Sequence, residues 1–272
     1  MSQGFQVIIL GSLMLTFQLV HGLFTEHVAQ GVLLGLTWSS AAIELATYTG
    51  LSAIEMRLST KPFSLLKIPY TEYAVIAVLI SLGRGLTWVA YGNLSYPIVI
   101  AFKSSKMLVV MVSGTLILRK RFSTAQYSAA FLVMAGLYLI STVNLEVEDD
   151  LSRFNRAPQA VYISSFTGLL VAGTATLLEG VVSNLQERSL SCEHRSLAEM
   201  IFVTNGMGAM LLLVLAVLSG EMHMLAASVG RDAATPAWLL ATVTLAYGCG
   251  RAPLPNNLLL MHYLAQICFA SR

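Results

Sequence analysis

The chain has 272 residues, of which 56% are hydrophobic and only 11% charged, with a formal net charge of +2 and a mean hydropathy of +0.72. Soluble domains have about a quarter of their residues charged, so this composition excludes an ordinary water-soluble enzyme and a basic nucleic-acid binder. It reads as an all-α, polytopic membrane helix bundle. Three widely spaced cysteines, Cys192, Cys249 and Cys268, lack the paired spacing of a disulfide framework or a zinc site.

In chain order, Met1-Ser-Gln-Gly lacks the basic segment of a cleaved signal peptide, so residues 5–24 are expected to be a retained first span. Apolar runs of roughly 18–25 residues cross the hydrocarbon core as helices. They are expected at 31–55, 71–92, 97–118, 124–143, 162–185 and 198–219. A shorter eighth, 235–250, has Trp238 and Tyr247 near its ends, as interfacial anchors often are. The run Ala252-Pro-Leu-Pro-Asn256 breaks the pattern, and 257–270 is too short to span.

Lys and Arg in the connections set the orientation. The even-numbered loops hold Arg57, Lys61, Lys67, Arg119, Lys120, Arg121, Arg188 and Arg195, while the odd ones hold Arg153, Arg156 and Arg231. Positive residues stay inside, which places the even loops and the N-terminus in the cytosol. The acidic fifth loop, with Glu146, Glu148, Asp149 and Asp150, then faces the lumen. Asn93-Leu-Ser95 matches a glycosylation sequon, but its loop is too short to expect modification.

The chemistry is concentrated in polar residues inside the spans. Lys103 and Lys106 lie in the otherwise apolar fourth span, where an ionised side chain is costly and faces protein or water. At three residues apart they share one helix face, and two like charges in low dielectric call for an anion between them. At about 100° per residue, Tyr96, Lys103, Lys106 and Ser113 fill an arc of about 100°. Thr176, Glu179, Ser183 and Gln186 form a stripe on the sixth span, and Gln18, His21 and Thr25 one on the first. Such inward stripes would line a wet central cavity. Thr176 and Ser183 also fit simple bonding to the preceding turn, and His21 fits packing. Glu44 and Arg84 either pair with each other or serve transport. Glu179 is a candidate partner for one lysine, in a bridge that opens when substrate binds. No cluster of His, Cys and carboxylates has ligand spacing, so no metal or cofactor is expected.

These residues sit in a recognisable pattern. The run Gly85-Leu-Thr-Trp-Val-Ala-Tyr-Gly-Asn-Leu-Ser-Tyr-Pro97, then Phe102-Lys-Ser-Ser-Lys-Met107 and Arg119-Lys-Arg-Phe122, resembles the nucleotide-sugar transporters of the drug/metabolite transporter superfamily. It is similar to the branch carrying UDP-sugars and 3′-phosphoadenosine 5′-phosphosulfate (PAPS). Glu179-Gly-Val-Val-Ser-Asn-Leu-Gln-Glu-Arg188 resembles the family's sixth-helix pattern, and His21-Gly-Leu-Phe-Thr-Glu26 a first-helix signature.

The resemblance implies ten helices in two inverted five-helix repeats around a central nucleotide site, of which about eight are present here. Residues 1–143 would be the first repeat, 144–160 the acidic lumenal loop, 161–250 an incomplete second repeat and 251–272 a divergent tail. Lys103 and Lys106 would meet phosphates, with Tyr96, Glu179, Asn184 and Gln186 lining the cavity. Asn184, about 140° from Glu179 on the wheel, is included on the resemblance alone. The implied activity is antiport rather than catalysis. An activated donor, PAPS first and a UDP-sugar as the alternative, would enter the Golgi or endoplasmic reticulum in exchange for a nucleoside monophosphate. The carrier would sit in the bilayer and could pair as a homodimer.

Two departures stand against the pattern. Ile98-Val99 replaces the family's Thr-Gln, and Val109-Val110-Met111 its Pro-Val-Met. The similarity ends after about Gly248, without the ninth and tenth helices, so a truncated, non-transporting membrane protein is the competing expectation.

Overall fold

In hydrocarbon every backbone N–H and C=O must bond within its own segment, so a chain this apolar folds as helices. A computed structural model describes residues 25, 35–58, 70–94, 96–132, 134–136, 139, 165–193, 197–231 and 244. The elements in chain order are α1 (Thr37–Leu58), α2 (Tyr70–Asn93), α3 (Tyr96–Ser104), α4 (Lys106–Ile117), α5 (Ser165–Glu193), α6 (Leu197–Leu218) and α7 (Glu221–Arg231). A further helical turn sequence covers 124–132. It is opened by Ser123 and Gln126, each accepting from the other's backbone N–H, which is a capping box.

Among the described residues, three segments, Tyr70–Asn93, Thr167–Leu190 and Leu197–Leu218, are long and apolar enough to cross a membrane. At about 1.5 Å per residue each exceeds a hydrocarbon core of about 30 Å. They coincide with the expected third, sixth and seventh spans. α1 corresponds to the expected second span but begins later, after Gly35 turns the chain at φ 90°, a conformation that strains any residue with a side chain. The expected fourth span is not one helix: it divides at Ser105 into α3 and α4. The amphipathic helix α7 was not foreseen. The expected fifth span is described over 124–132, 134–136 and 139, where it is helical, while the expected first span, the eighth except residue 244, the acidic loop and the tail lie outside the described residues.

Contacts at glycines give the register. Gly83 lies against Glu179 and Ala175, and Gly168 against Leu94 and Asn93, so α2 and α5 are antiparallel. Gly173 meets Phe102, Gly180 meets Val109 and Gly114 meets Asn184, so α5 runs parallel to the α3–α4 segment. Gly206 meets Thr49 and Gly208 meets Leu45, making α1 and α6 antiparallel. These senses are the ones a chain crossing back and forth requires of its third and sixth, fourth and sixth, and second and seventh spans.

Small residues set how close the helices come. A methyl group at Gly180 would lie 2.4 Å from Val109 Cγ1, and one at Gly85 2.3 Å from the Trp38 ring. The apolar core, including Leu45, Tyr48, Tyr73, Ile80, Trp88, Val182, Met200 and Leu212, lies where α1, α2, α5 and α6 meet. Outward, α6 presents Met210, Leu213, Val214, Val217 and Leu218, the surface a membrane helix offers to lipid.

The N-terminus of α1 is fastened from across the bundle. Glu221, the first residue of α7, accepts from Thr37 Oγ1, Ser39 N and Ser39 Oγ, each at 2.9 Å. A carboxylate there satisfies a helix-end N–H and sits at the positive end of the helix dipole.

A buried charge cluster as candidate functional site

α2 carries Arg84, Thr87, Trp88 and Tyr91 on one face, because residues three and four apart on a helix are neighbours. That face meets Glu44 from α1 and Glu179 from α5. Arg84 Nη1 donates to Glu44 Oε1 at 2.8 Å, and Trp88 Nε1 donates to Glu44 Oε2 at 3.1 Å. Of the two readings open for Glu44 and Arg84, mutual pairing is therefore the observed arrangement.

Glu179 sits differently. Thr87 Oγ1 donates to its Oε1 at 3.2 Å. Around it are Arg84 Nε at 4.0 Å, Lys103 Nζ at 4.0 Å and Lys106 Nζ at 3.9 Å. All three cations attract the carboxylate, but none is within the roughly 2.7–3.2 Å of a direct N–H···O bond. Gly83 makes this placement possible, since a Cβ there would lie 3.2 Å from Glu179 Cγ.

The lysines are presented by the break between α3 and α4. The Ser105 N–H is shared between Ala101 O at 3.2 Å and Phe102 O at 3.1 Å, and Leu108 N–H bonds Ser105 O at 3.0 Å. Such three-residue bonds tighten the helix locally. Ser105 Oγ adds a bond to Phe102 O at 2.5 Å. Lys103 thus lies in the last turn of α3, where the helix dipole favours a cation, and Lys106 begins α4. Lys103 Nζ also lies 5.5 Å from the Tyr91 ring centroid, in cation–π range. Lys106 is 6% exposed and Glu179 4%.

The remaining candidates are placed as follows. Tyr96 opens α3, two turns ahead of Lys103. Thr176, Ser183 and Gln186 are buried on the Glu179 stripe. The hydroxyls of Thr176 and Ser183 bond the preceding turn, at Ala172 O and Glu179 O. Asn184 lies off the stripe, and its amide donates to Val110 O at 3.0 Å and Ser113 Oγ at 2.7 Å. It fastens α5 to α4 beyond Lys106. The departures from the family pattern are packed in: Ile98 and Val99 are buried, and Val109 lies over Gly180. Thr87, Trp88 and Tyr91 had not been joined to the site from sequence, although their spacing from Arg84 marks them as its face. Asn93 Nδ2 donates to Val89 O at 2.7 Å, so the sequon asparagine is engaged by its own helix.

Among the described residues, the site's three cations and two carboxylates leave one net positive charge inside a helical membrane bundle when all are ionised. That is the class of arrangement a membrane protein handling anions needs, and comparison with known proteins makes it specific. The chain matches the model of the UAA transporter family over residues 6–254, and it belongs to that family, one of transporters rather than enzymes. The match runs just past Gly248. Among its relatives, the adenosine 3′-phospho 5′-phosphosulfate transporter 2 of Caenorhabditis briggsae is 27% identical over 186 residues, 68% of this chain and 47% of the relative. The Mus musculus protein of the same name is 27% identical over 177 residues, 65% of this chain and 44% of the relative. UDP-galactose/UDP-glucose transporter 4 of Arabidopsis thaliana is 27% identical over 157 residues, 57% of this chain and 41% of the relative. The chain spans about half the length of the relatives it matches.

Proposed function

We propose that this chain binds and carries an activated nucleotide donor, PAPS in the first instance. The donor would pass into the Golgi or endoplasmic reticulum lumen in exchange for a nucleoside monophosphate. The observation that carries the reading is the buried pair of lysines facing one loosely held carboxylate, Glu179, at 4.0 and 3.9 Å. Phosphate and sulfate oxygens would take the place of Glu179 at Lys103 and Lys106, in charge-assisted bonds stronger than neutral ones. Tyr96 and Gln186 would line the path, and Asn184 holds α4 against α5. The relatives' names support both PAPS and a UDP-sugar as donor, and the apolar Ile98-Val99 beside the lysines favours testing UDP-sugars in parallel.

In this reading, residues 1–143 form one five-helix repeat and 161–250 belong to a second, inverted one, with the acidic loop 144–160 in the lumen, 251–272 a tail and the N-terminus in the cytosol. The helix senses seen among α1 to α6 support alternate crossing, as rocking of one repeat against the other requires. A homodimer is compatible with it.

The test is uptake of labelled PAPS, UDP-glucose and a GDP-sugar into proteoliposomes preloaded with AMP or UMP. Saturable uptake accelerated by the preloaded monophosphate, and lost in Lys103→Gln, is the expected result. Lysine-dependent donor binding without uptake would support the competing reading, a membrane protein that does not transport by itself. Uptake unaffected by Lys103→Gln would refute the phosphate role.

A further inference from the structure

The donor reading seats an anion at the lysines but leaves Glu179 to be accounted for once that donor arrives. A displaced carboxylate inside low dielectric, with only the neutral Thr87 hydroxyl to hold it, would raise the energy of the loaded state. Arg84 lies where the displaced group can go. Its Nη1 is fixed by Glu44 at 2.8 Å, and Glu44 is itself held by Trp88 at 3.1 Å. Its Nε stands 4.0 Å from the same Glu179 oxygen that Lys103 faces at 4.0 Å. Glu179 is thus equidistant from a cation that the substrate would occupy and one that it would not. A side-chain rotation on the order of 1 Å closes either contact into a hydrogen bond.

We propose that Arg84 is a positioning residue that receives the Glu179 carboxylate when a phosphate or sulfate anion takes Lys103 and Lys106, and returns it when the anion leaves. The inference rests on the donor reading above. It makes Glu179 the competitor that empties the site and Arg84 the group that lets it yield. Without Arg84 the carboxylate has no second cation and stays on the lysines. Without Glu179 there is nothing to move, and the charge of Arg84 no longer matters to the same degree.

The sign of the coupling tests this. Equilibrium binding of radiolabelled PAPS and UDP-glucose is measured on the full chain in detergent, for Lys103→Gln, Arg84→Gln, Glu179→Gln and the Arg84→Gln/Glu179→Gln double variant. Arg84→Gln is expected to weaken binding about 10-fold and Glu179→Gln to tighten it several-fold, with the double variant within about 3-fold of Glu179→Gln alone, a coupling in the usual range for adjacent groups. Glu179→Gln should also slow donor release. Because Arg84→Gln alone leaves the Glu44 carboxylate buried without its partner, the series is repeated in a Glu44→Gln background, which keeps the comparison open if the single variant fails to fold. An Arg84→Gln effect of equal size with and without Glu179 would overturn the hand-over and reduce Arg84 to general attraction or scaffolding. Binding indifferent to Lys103 would overturn the donor reading itself, and the hand-over with it.

Discussion

Glu179 and Glu221 are both buried carboxylates, 4% and 6% exposed, yet the bundle treats them in opposite ways. Glu221 accepts three hydrogen bonds at 2.9 Å from the first turn of α1, and its oxygens are tied to backbone and hydroxyl groups that have nowhere else to go. Glu179 accepts one, from Thr87 at 3.2 Å, and stands among three cations at 3.9 to 4.0 Å. A carboxylate that is fully bonded by neutral donors is a fastener. One attracted by several cations and bonded to none of them is exchangeable, and only the second kind can give way to a ligand.

The largest expected effect concerns the cations themselves. Replacing Lys103 and Lys106 together by Gln removes two charge-assisted contacts. At about 1.5–3 kcal/mol each, donor binding should weaken at least ~100-fold, read by scintillation proximity or filter binding. A loss of less than ~5-fold would remove the lysines from the site.

Next in size is the direct comparison of the two carboxylates by thermal unfolding in detergent. Glu179→Gln leaves three cations facing one carboxylate, and breaking a buried ionic group in this way costs about 3 kcal/mol or more. Saturating donor should restore most of that loss, because a ligand that binds the folded state stabilises it by about 2.7 kcal/mol at 100 times its Kd. Glu221→Ala should cost about 2 kcal/mol through its lost bonds to Thr37 and Ser39, and donor should rescue it no more than it stabilises the unaltered chain. Equal rescue of both variants would erase the distinction between fastener and exchangeable group.

Gly180→Ala sharpens the same comparison from the packing side. The added methyl would stand 2.4 Å from Val109 Cγ1 and 2.9 Å from its Cβ, so α4 must move away from α5. Overpacking of this kind costs about 1–3 kcal/mol, and it should also carry Lys106 away from Glu179. A drop in stability with donor affinity unchanged would show that the cluster tolerates a wider helix spacing than its geometry implies.

Much of this was legible in the chain. Hydrophobic run length located α2, α5 and α6 because a membrane span is a long, uninterrupted signal. The cost of intramembrane charge singled out Lys103, Lys106, Glu44, Arg84 and Glu179 before any fold was known. What periodicity could not show is which charges meet. Glu179 lies opposite Arg84 and both lysines only because Gly83 and Gly180 let α2 and α4 close on α5, a relation across helices that no single-helix wheel contains. The break at Ser105 was hidden for a related reason: Phe102-Lys-Ser-Ser-Lys106 has no Pro or Gly to announce it, and the tightening comes from serine and backbone bonds. The cap by Glu221 was missed because it joins residues at opposite ends of the chain. Asn184, placed off the Glu179 stripe by the wheel, is found bonded to α4 at Val110 O and Ser113 Oγ.

The smallest expected effect lies at the C-terminal end of α4, well away from either carboxylate. Arg119 takes φ 53°, while the N–H groups of Leu118 and Lys120 both reach Gly114 O, at 3.0 and 3.3 Å. A left-handed residue with a side chain costs about 1–2 kcal/mol, and glycine gives back part of the relief through its freer unfolded state. Arg119→Gly should therefore raise stability by roughly 0.5–1 kcal/mol. The neighbouring Lys120–Glu187 pair is half exposed, and its loss in Lys120→Gln should change stability by less than about 1 kcal/mol. Neither change touches the α2–α5 charges, so donor affinity should stay within about 2-fold of the unaltered chain. A larger shift from either variant would mean that the turn after α4, and not only the buried cluster, sets how readily the Glu179 carboxylate yields.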